Sequence, residues 1–210
     1  MLENFINHSF SDFDQYKEAL KTWDLEFVQL GCGRFHADIL RFGDSELQIG
    51  KVQYNKLLLQ NGSAPADGYT FAVHHDDSAH FLWRYQDFDF NTIIVFPENR
   101  ELHGVSQPGH HPFVVTMQEN FLAEVSSTLG LPDPDTFIAK GKVTACDPTR
   151  MAELRLFLSI LCREMKATQG QLSDVLLSGA TKWQLATLLL SNLAAAKPIK
   201  VKKRNSSNRR

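Results

Sequence analysis

Between Leu25 and Pro65 apolar and polar residues alternate, and turn residues break the alternation at short, regular intervals. A helix repeats every 3.6 residues and cannot keep such a pattern on one face, whereas a half-buried strand, with a period of two, requires it. Phe35, Ala37 and Ile39 fall on one strand face while Arg34, His36 and Asp38 fall on the other. Gly43-Asp44 then supplies a turn before Leu47, Ile49 and Lys51 resume the alternation. The chain is expected to be organised around a small antiparallel β core.

The pattern continues downstream. Strands are predicted over residues 26–30, 34–42, 45–54, 57–59, 68–74, 80–86, 92–96, 101–105 and 112–116. Gly31-Cys32-Gly33, Asn61-Gly62, Ala66-Asp67-Gly68, Asp76-Asp77, Pro97-Glu98-Asn99 and Gln107-Pro108-Gly109 separate them, a turn spacing that suits a sandwich or an open barrel. Ahead of this region, Ser11 as cap, Asp12 and Asp14 in the first turn, and Tyr16, Leu20 and Trp23 at helical spacing predict a short amphipathic helix over 11–23.

From Thr116 the period changes. Thr116 and Glu119 have the capping-box spacing, Phe121, Leu122, Val125 and Leu129 define a helical face, and Gly130 with Pro132 ends it. After a loop over 139–146, Asp147-Pro148 offers an N-cap followed by proline at the first helical position. Met151, Leu154, Leu158, Leu161 and Met165 then follow alternating steps of three and four, a heptad seam. Thr181 and Gln184 repeat the capping-box spacing, and Leu185, Leu188, Leu189 and Leu193 continue as a helix that can pair with the previous one as an antiparallel hairpin around Gly179. The expected fold class is α+β, mainly β. A β domain with its N-terminal helix over 1–116, a helical region over 117–196 and a disordered basic tail over 197–210 make up the expected organisation.

With 210 residues, 43% of them hydrophobic, the chain can bury one substantial core. A net charge of -2 gives no overall field for nucleic acid, and the longest apolar stretch, 185–196, is too short to span a bilayer. Glu3 places an acid where a signal peptide carries bases, and no apolar run follows it, so a cytoplasmic location is expected. Cys32, Cys146 and Cys162 are odd in number and widely spaced, which supports neither a disulfide framework nor a thiolate metal site. Reduced, packed thiols are expected.

Several phrases carry a family resemblance. Phe27, Gln29, Leu30, Gly33 and Phe35 in FVQLGCGRF, Asn55, Leu58, Gly62 and Pro65 in NKLLLQNGSAP, Phe71 in GYTFAV, and RELHGVS from Arg100 to Ser106 resemble the N-terminal regulatory half of AraC/XylS-type transcription regulators. The resemblance spans roughly residues 11–196 and rests on order and spacing. It implies a cupin-like, jelly-roll β-barrel or sandwich that senses a small molecule, helices that pair two subunits, and a helix-turn-helix portion beyond a basic linker. The chain stops at Arg210, where that portion would begin, either as a truncated form or as a natural one without the reader, so no specific DNA binding is expected of it alone.

For chemistry, no GxSxG elbow, glycine-rich phosphate loop or HExxH pattern is present. Asp87 and Asp89, flanking Phe88 and Phe90, read as the wet face of a strand rather than an acid/base pair. His74, His75 and His80 with Asp76 or Asp77 form the local histidine cluster, which His103, His110 and His111 could approach from later strands. Adjacent His74 and His75 point to opposite faces of a strand, and the His-x-His pair with a following Glu that metal cupins carry is missing. No catalytic residue, metal or cofactor is therefore assigned.

Phe71 and Val73 share one strand face, and Phe81, Trp83 and Tyr85 share another; these five are expected to line a small-molecule cavity, with core packing as the alternative for each. Met151, Leu154, Leu158, Leu161 and Met165 are expected to hold a homodimer, with docking on the chain's own barrel as the alternative. The charges at Lys197, Lys200, Lys202, Lys203, Arg204, Arg209 and Arg210 read as a linker, not as a nucleic-acid surface. The expected function is the effector-sensing and dimerisation domain of a transcription regulator. The alternatives are a metal-dependent cupin-type enzyme, an isomerase or dioxygenase, and a plain dimerisation module with a filled barrel.

Overall fold

Alternating sequence of this kind folds into two antiparallel sheets facing one another, with helices on the back of the larger. The computed structural model describes residues 5–21, 24–65, 68–76, 81–83, 86–87, 89–97 and 102–198. In chain order the first half runs β1 (Ile6–Phe10), α1 (Phe13–Ala19), β2 (Asp24–Gln29), β3 (Ala37–Gly43), β4 (Leu47–Tyr54), β5 (Leu58–Ser63), β6 (Gly68–His74), β7 (Phe81–Trp83), β8 (Gln86–Asp87) and β9 (Thr92–Val95). The second half runs β10 (Leu102–Ser106), β11 (Pro112–Gln118), α2 (Glu119–Thr128), α3 (Pro134–Phe137), β12 (Val143–Ala145), α4 (Pro148–Ala167), α5 (Ser173–Leu176), α6 (Gly179–Ala194) and β13 (Lys197–Pro198). The larger sheet has the order β1-β3-β4-β11-β6-β9-β12-β13 and the smaller β2-β5-β10-β7-β8. No helix among the described residues is long and apolar enough to cross a membrane.

Local chemistry explains the boundaries. Asp12, rather than Ser11, caps α1, its Oδ1 accepting from the amides of Asp14 at 2.8 Å and Gln15 at 3.0 Å. Asp147 caps α4 in the same way, through Thr149 at 3.0 Å and Arg150 at 3.1 Å, with Pro148 following as expected. The turn between β3 and β4 needs glycine at its entrance: Gly43 holds φ 155°, and a Cβ there would lie 2.2 Å from the Leu47 carbonyl oxygen.

Other expectations give way. Thr116 caps nothing, because it is still in β11, where its hydroxyl meets that of Thr70 at 2.9 Å; α2 begins without a side-chain cap. The cap position of α6 is Ser178, not Thr181. Asn61-Gly62 is no turn but lies inside β5, where Gly62 pairs with Leu25 on one side and Leu102 on the other. The loop over 139–146 contains β12, and the first residues of the expected tail, Lys197 and Pro198, pair with it as β13; Lys200 onward lies outside the described residues.

The main core fills the space between the larger sheet and α2, α4 and α6. Phe42, Leu47, Ile49, Phe71, Val73, Ile93, Val95, Phe113, Val115 and Met117 face the helices, so one hydrophobic cluster runs across the expected boundary at 116/117. Met151, Leu154, Leu158, Leu161 and Met165 are all buried in it, between 0% and 5% exposed. The heptad seam is therefore satisfied within the chain, the sheet occupying the place a second helix would take. A second cluster, with Phe10, Tyr16, Phe27, Phe35, Ile39 and Tyr54, plugs one end of the space between the two sheets.

Candidate functional site

Between the sheets, beyond that plug, lies a cavity of about 90 Å³, several times the roughly 10–15 Å³ that one water requires by the same measure. The larger sheet contributes one wall: Ile39 and Arg41 from β3, Gln48, Gly50 and Val52 from β4, Ala72 and His74 from β6, Ile94 from β9, and Pro112, Val114 and Thr116 from β11. Leu25 and Phe27 from β2 and Gln60 from β5 stand opposite, Tyr16 and Leu20 close the α1 end, and Tyr54, Phe96 and His110 complete the lining.

Register decides which residues these are. On β6 and β11 the pairs Ala72↔Val114 and His74↔Pro112 turn towards the cavity, and Val73↔Phe113 and Phe71↔Val115 turn towards the helices. Phe71 and Val73, expected to line the cavity, are instead fully buried on the other face, because successive side chains of a strand point to opposite sides. Phe81 and Trp83 lie in β7 of the smaller sheet, but their side chains, like all of Tyr85, fall outside the described structure.

The polar lining is sparse and ordered. Gln60 donates from Nε2 to the Tyr54 hydroxyl at 2.9 Å and to Ser106 Oγ at 3.0 Å, and Ser106 donates on to the Leu58 carbonyl at 3.3 Å. His74 and His110 meet edge to face with ring centroids 5.4 Å apart. Burial pushes the Tyr54 phenol well above its usual range, against hydrogen bonds to Ser106 and Gln60 that act the other way, so it remains a neutral hydroxyl. Arg41 is the one Asp, Glu, Lys or Arg among the described lining residues. It pairs in register with Gly50, and desolvation lowers its pKa. Sequence reasoning passed over Arg41 because Leu40, Arg41 and Phe42 read as one polar residue in a two-sided apolar strand.

Outside the cavity, His75, Asp76 and His111 converge at the helix-facing end of β6 and β11. Desolvation, with the nearby charge of Lys51, lowers the His75 pKa, while Asp76 acts against that shift. His103 stands apart from this group, 2.6 Å from Asn61 Oδ1 through Nδ1. All three converging residues belong to the histidine cluster legible in the sequence, and the strand parity of His74 and His75 places His74 in the cavity and His75 outside it. His80 and Asp77 lie outside the described residues.

No protein-family profile matches this sequence, and no curated protein matches it. Among solved structures, the AraC-like transcriptional activator CuxR is similar with a TM-score of 0.61 at 10% identity, over 94% of this chain and 73% of that one. A Streptomyces PAC13 variant with uridine aligns over 44% of this chain and 76% of that one with a TM-score of 0.28 at 10% identity. An oxalate decarboxylase aligns over 68% of this chain and 43% of that one, also with a TM-score of 0.28, at 13% identity. The likeness to CuxR is one of fold: over 94% of its length this chain shares the architecture of that protein.

Proposed function

We propose that this chain is the effector-sensing domain of a transcription regulator, and that the effector is a small molecule with an apolar body and an acidic group. The observation that carries the reading is Arg41, a guanidinium that reaches a lining made mostly of apolar side chains, with Gln, Thr, Tyr and His as its other polar groups among the described residues. A carboxylate meeting that guanidinium in a low-dielectric space makes a charge-assisted hydrogen bond that water would otherwise weaken. The strands that line the cavity carry α2, α4 and α6 on their other face, so an occupant that favours one arrangement of the sheet shifts how the helices are presented to a DNA-binding portion. The interleaving of β4, β6, β9 and β11 in one sheet with β5, β7, β8 and β10 in the other supports reading the β portion as a cupin-like jelly roll. With the heptad seam buried, self-association falls to the outer face of α4, where Leu156 is 62% and Ile160 40% exposed one turn apart.

A thermal-shift panel of small aromatic and branched aliphatic monocarboxylates, each beside its primary amide, tests the ligand. At least one acid should stabilise the chain more than its amide, and Arg41→Gln should cut that preference tenfold or more. Acids and amides that act alike, or a preference untouched by Arg41→Gln, would refute the assignment.

A further inference from the structure

His75 Nδ1, Asp76 Oδ2 and His111 Nε2 form a triangle with sides of 2.7 Å between His111 and Asp76, 3.1 Å between the two imidazoles and 3.3 Å between His75 and Asp76. The His111 Nδ1 lies 2.7 Å from the Gly109 carbonyl oxygen, which only accepts, so Nδ1 carries a proton and Nε2 is the ring nitrogen whose lone pair a metal ion can take. Asp76 is acceptor-only when ionised. Three electron-pair donors thus converge, each within 3.3 Å of the other two. One metal ion meets the three together.

We propose that His75, Asp76 and His111 bind a single divalent first-row transition metal ion of the Zn²⁺ kind, outside the effector cavity. Ligand atoms about 2.0–2.2 Å from one ion in a tetrahedral or octahedral shell lie about 2.9–3.6 Å apart, close to the separations found here. Two imidazoles and one carboxylate select this class over Mg²⁺ or Ca²⁺, which take oxygen shells. The Gly109 carbonyl is the outer partner that fixes the His111 ring, as metal-bound histidines require. The Phe113 ring, its centroid 5.1 Å from that of His75, walls the site on one side. Asp76, its side chain 45% exposed, is the most solvent-facing of the three. The Lys51 ammonium, over the same Phe113 ring at 5.5 Å, is a cation the ion must tolerate.

The test uses the 210-residue chain purified without an affinity tag and stripped by chelator. Zn²⁺ competition against a chromophoric chelator and the visible bands of Co²⁺ read binding directly. One equivalent of Zn²⁺ should bind, and His75→Asn, His111→Asn and Asp76→Asn should each weaken it tenfold or more. The double variant His74→Gln/His110→Gln, which alters the cavity histidines, should leave uptake in place. Far-UV circular dichroism confirms folding of each variant, and Asp76→Asn, at the most exposed of the three positions, serves where a histidine variant does not fold. No stoichiometric uptake, uptake that survives His75→Asn and His111→Asn, or uptake lost only with the cavity pair would each overturn the proposal.

Discussion

Leu158→Ala separates a helix seam that builds the subunit from one that joins two subunits. Leu158 is 0% exposed within the cluster that α4 shares with the larger sheet and α6. Truncating a leucine at such a site removes its transfer free energy and leaves a cavity, costing about 2–5 kcal/mol. For a chain of this length each kcal/mol lowers Tm by about 2–4 °C, so a central loss of about 3 kcal/mol lowers it by about 6–12 °C. Leu156, two positions away and 62% exposed, is the internal control; Leu156→Ala should stay within about 0.5 kcal/mol of the parent. Urea and thermal denaturation followed by circular dichroism, each at two protein concentrations, supply the measurement. A seam between subunits behaves differently: Leu158→Ala would make Tm depend on concentration and shift sedimentation towards monomer, with little loss of stability at high concentration. A Tm within about 2 °C of the parent, together with dissociation, would refute the burial argument.

Leu156→Glu should yield a folded monomer by sedimentation velocity if the outer face of α4 joins two copies, and a dimer that persists in this variant would remove that surface from consideration. Lys182 on α6 reaches the β3–β4 turn, 2.5 Å from Asp44 and 2.8 Å from Glu46, and Lys182→Met should cost about 1 kcal/mol in view of the partly exposed acids. Burial would raise the Asp44 pKa, but the Lys182 hydrogen bond and the amides of Leu47 and Glu46 outweigh it and hold the carboxyl low. Burial would likewise lower the Lys182 pKa, yet Asp44 and Glu46 raise it. The clamp is accordingly complete between the unfolded values of about 3.9 and 10.4, lost below as Asp44 protonates and above as Lys182 deprotonates. Unfolding curves against pH should show Lys182→Met flattening both limbs, and equal slopes would contradict it. Thiol titration should find Cys32, which is exposed, reacting promptly, while Cys162, buried and pushed up to about 12, reacts only on unfolding. Fast labelling of Cys162 would mean that α4 opens readily.

The strands were legible because their alternation is strong, yet the compartment each face looks into was not. All of Gly68–His74 is buried, so hydrophobicity does not distinguish the side bearing helices from the side bearing a cavity. Phe71 and Val73 look like better ligand contacts than Ala72 and His74 until pairing with β11 assigns the faces. The heptad seam failed as a sign of dimerisation for a related reason, since a helix lying on a sheet needs the same apolar stripe as one lying on another helix. Strand β1 carries little signal because only Ile6 and Phe10 are apolar at its ends, and its place is set by pairing with β3 across 27 to 35 residues. Asp147-Pro148, whose effect is local, read correctly.

Strand β11 lies between β4 and β6, with Phe113, Val115 and Met117 committed to the helices and Pro112, Val114 and Thr116 to the cavity. A sequence can consequently drift along this strand in two separate registers. Changes at 112, 114 and 116 alter what the container accepts and leave the scaffold intact, while changes at 113, 115 and 117 test the scaffold and leave the contents alone. A protein built this way can acquire a new ligand by substitutions two residues apart, without first solving its folding problem again.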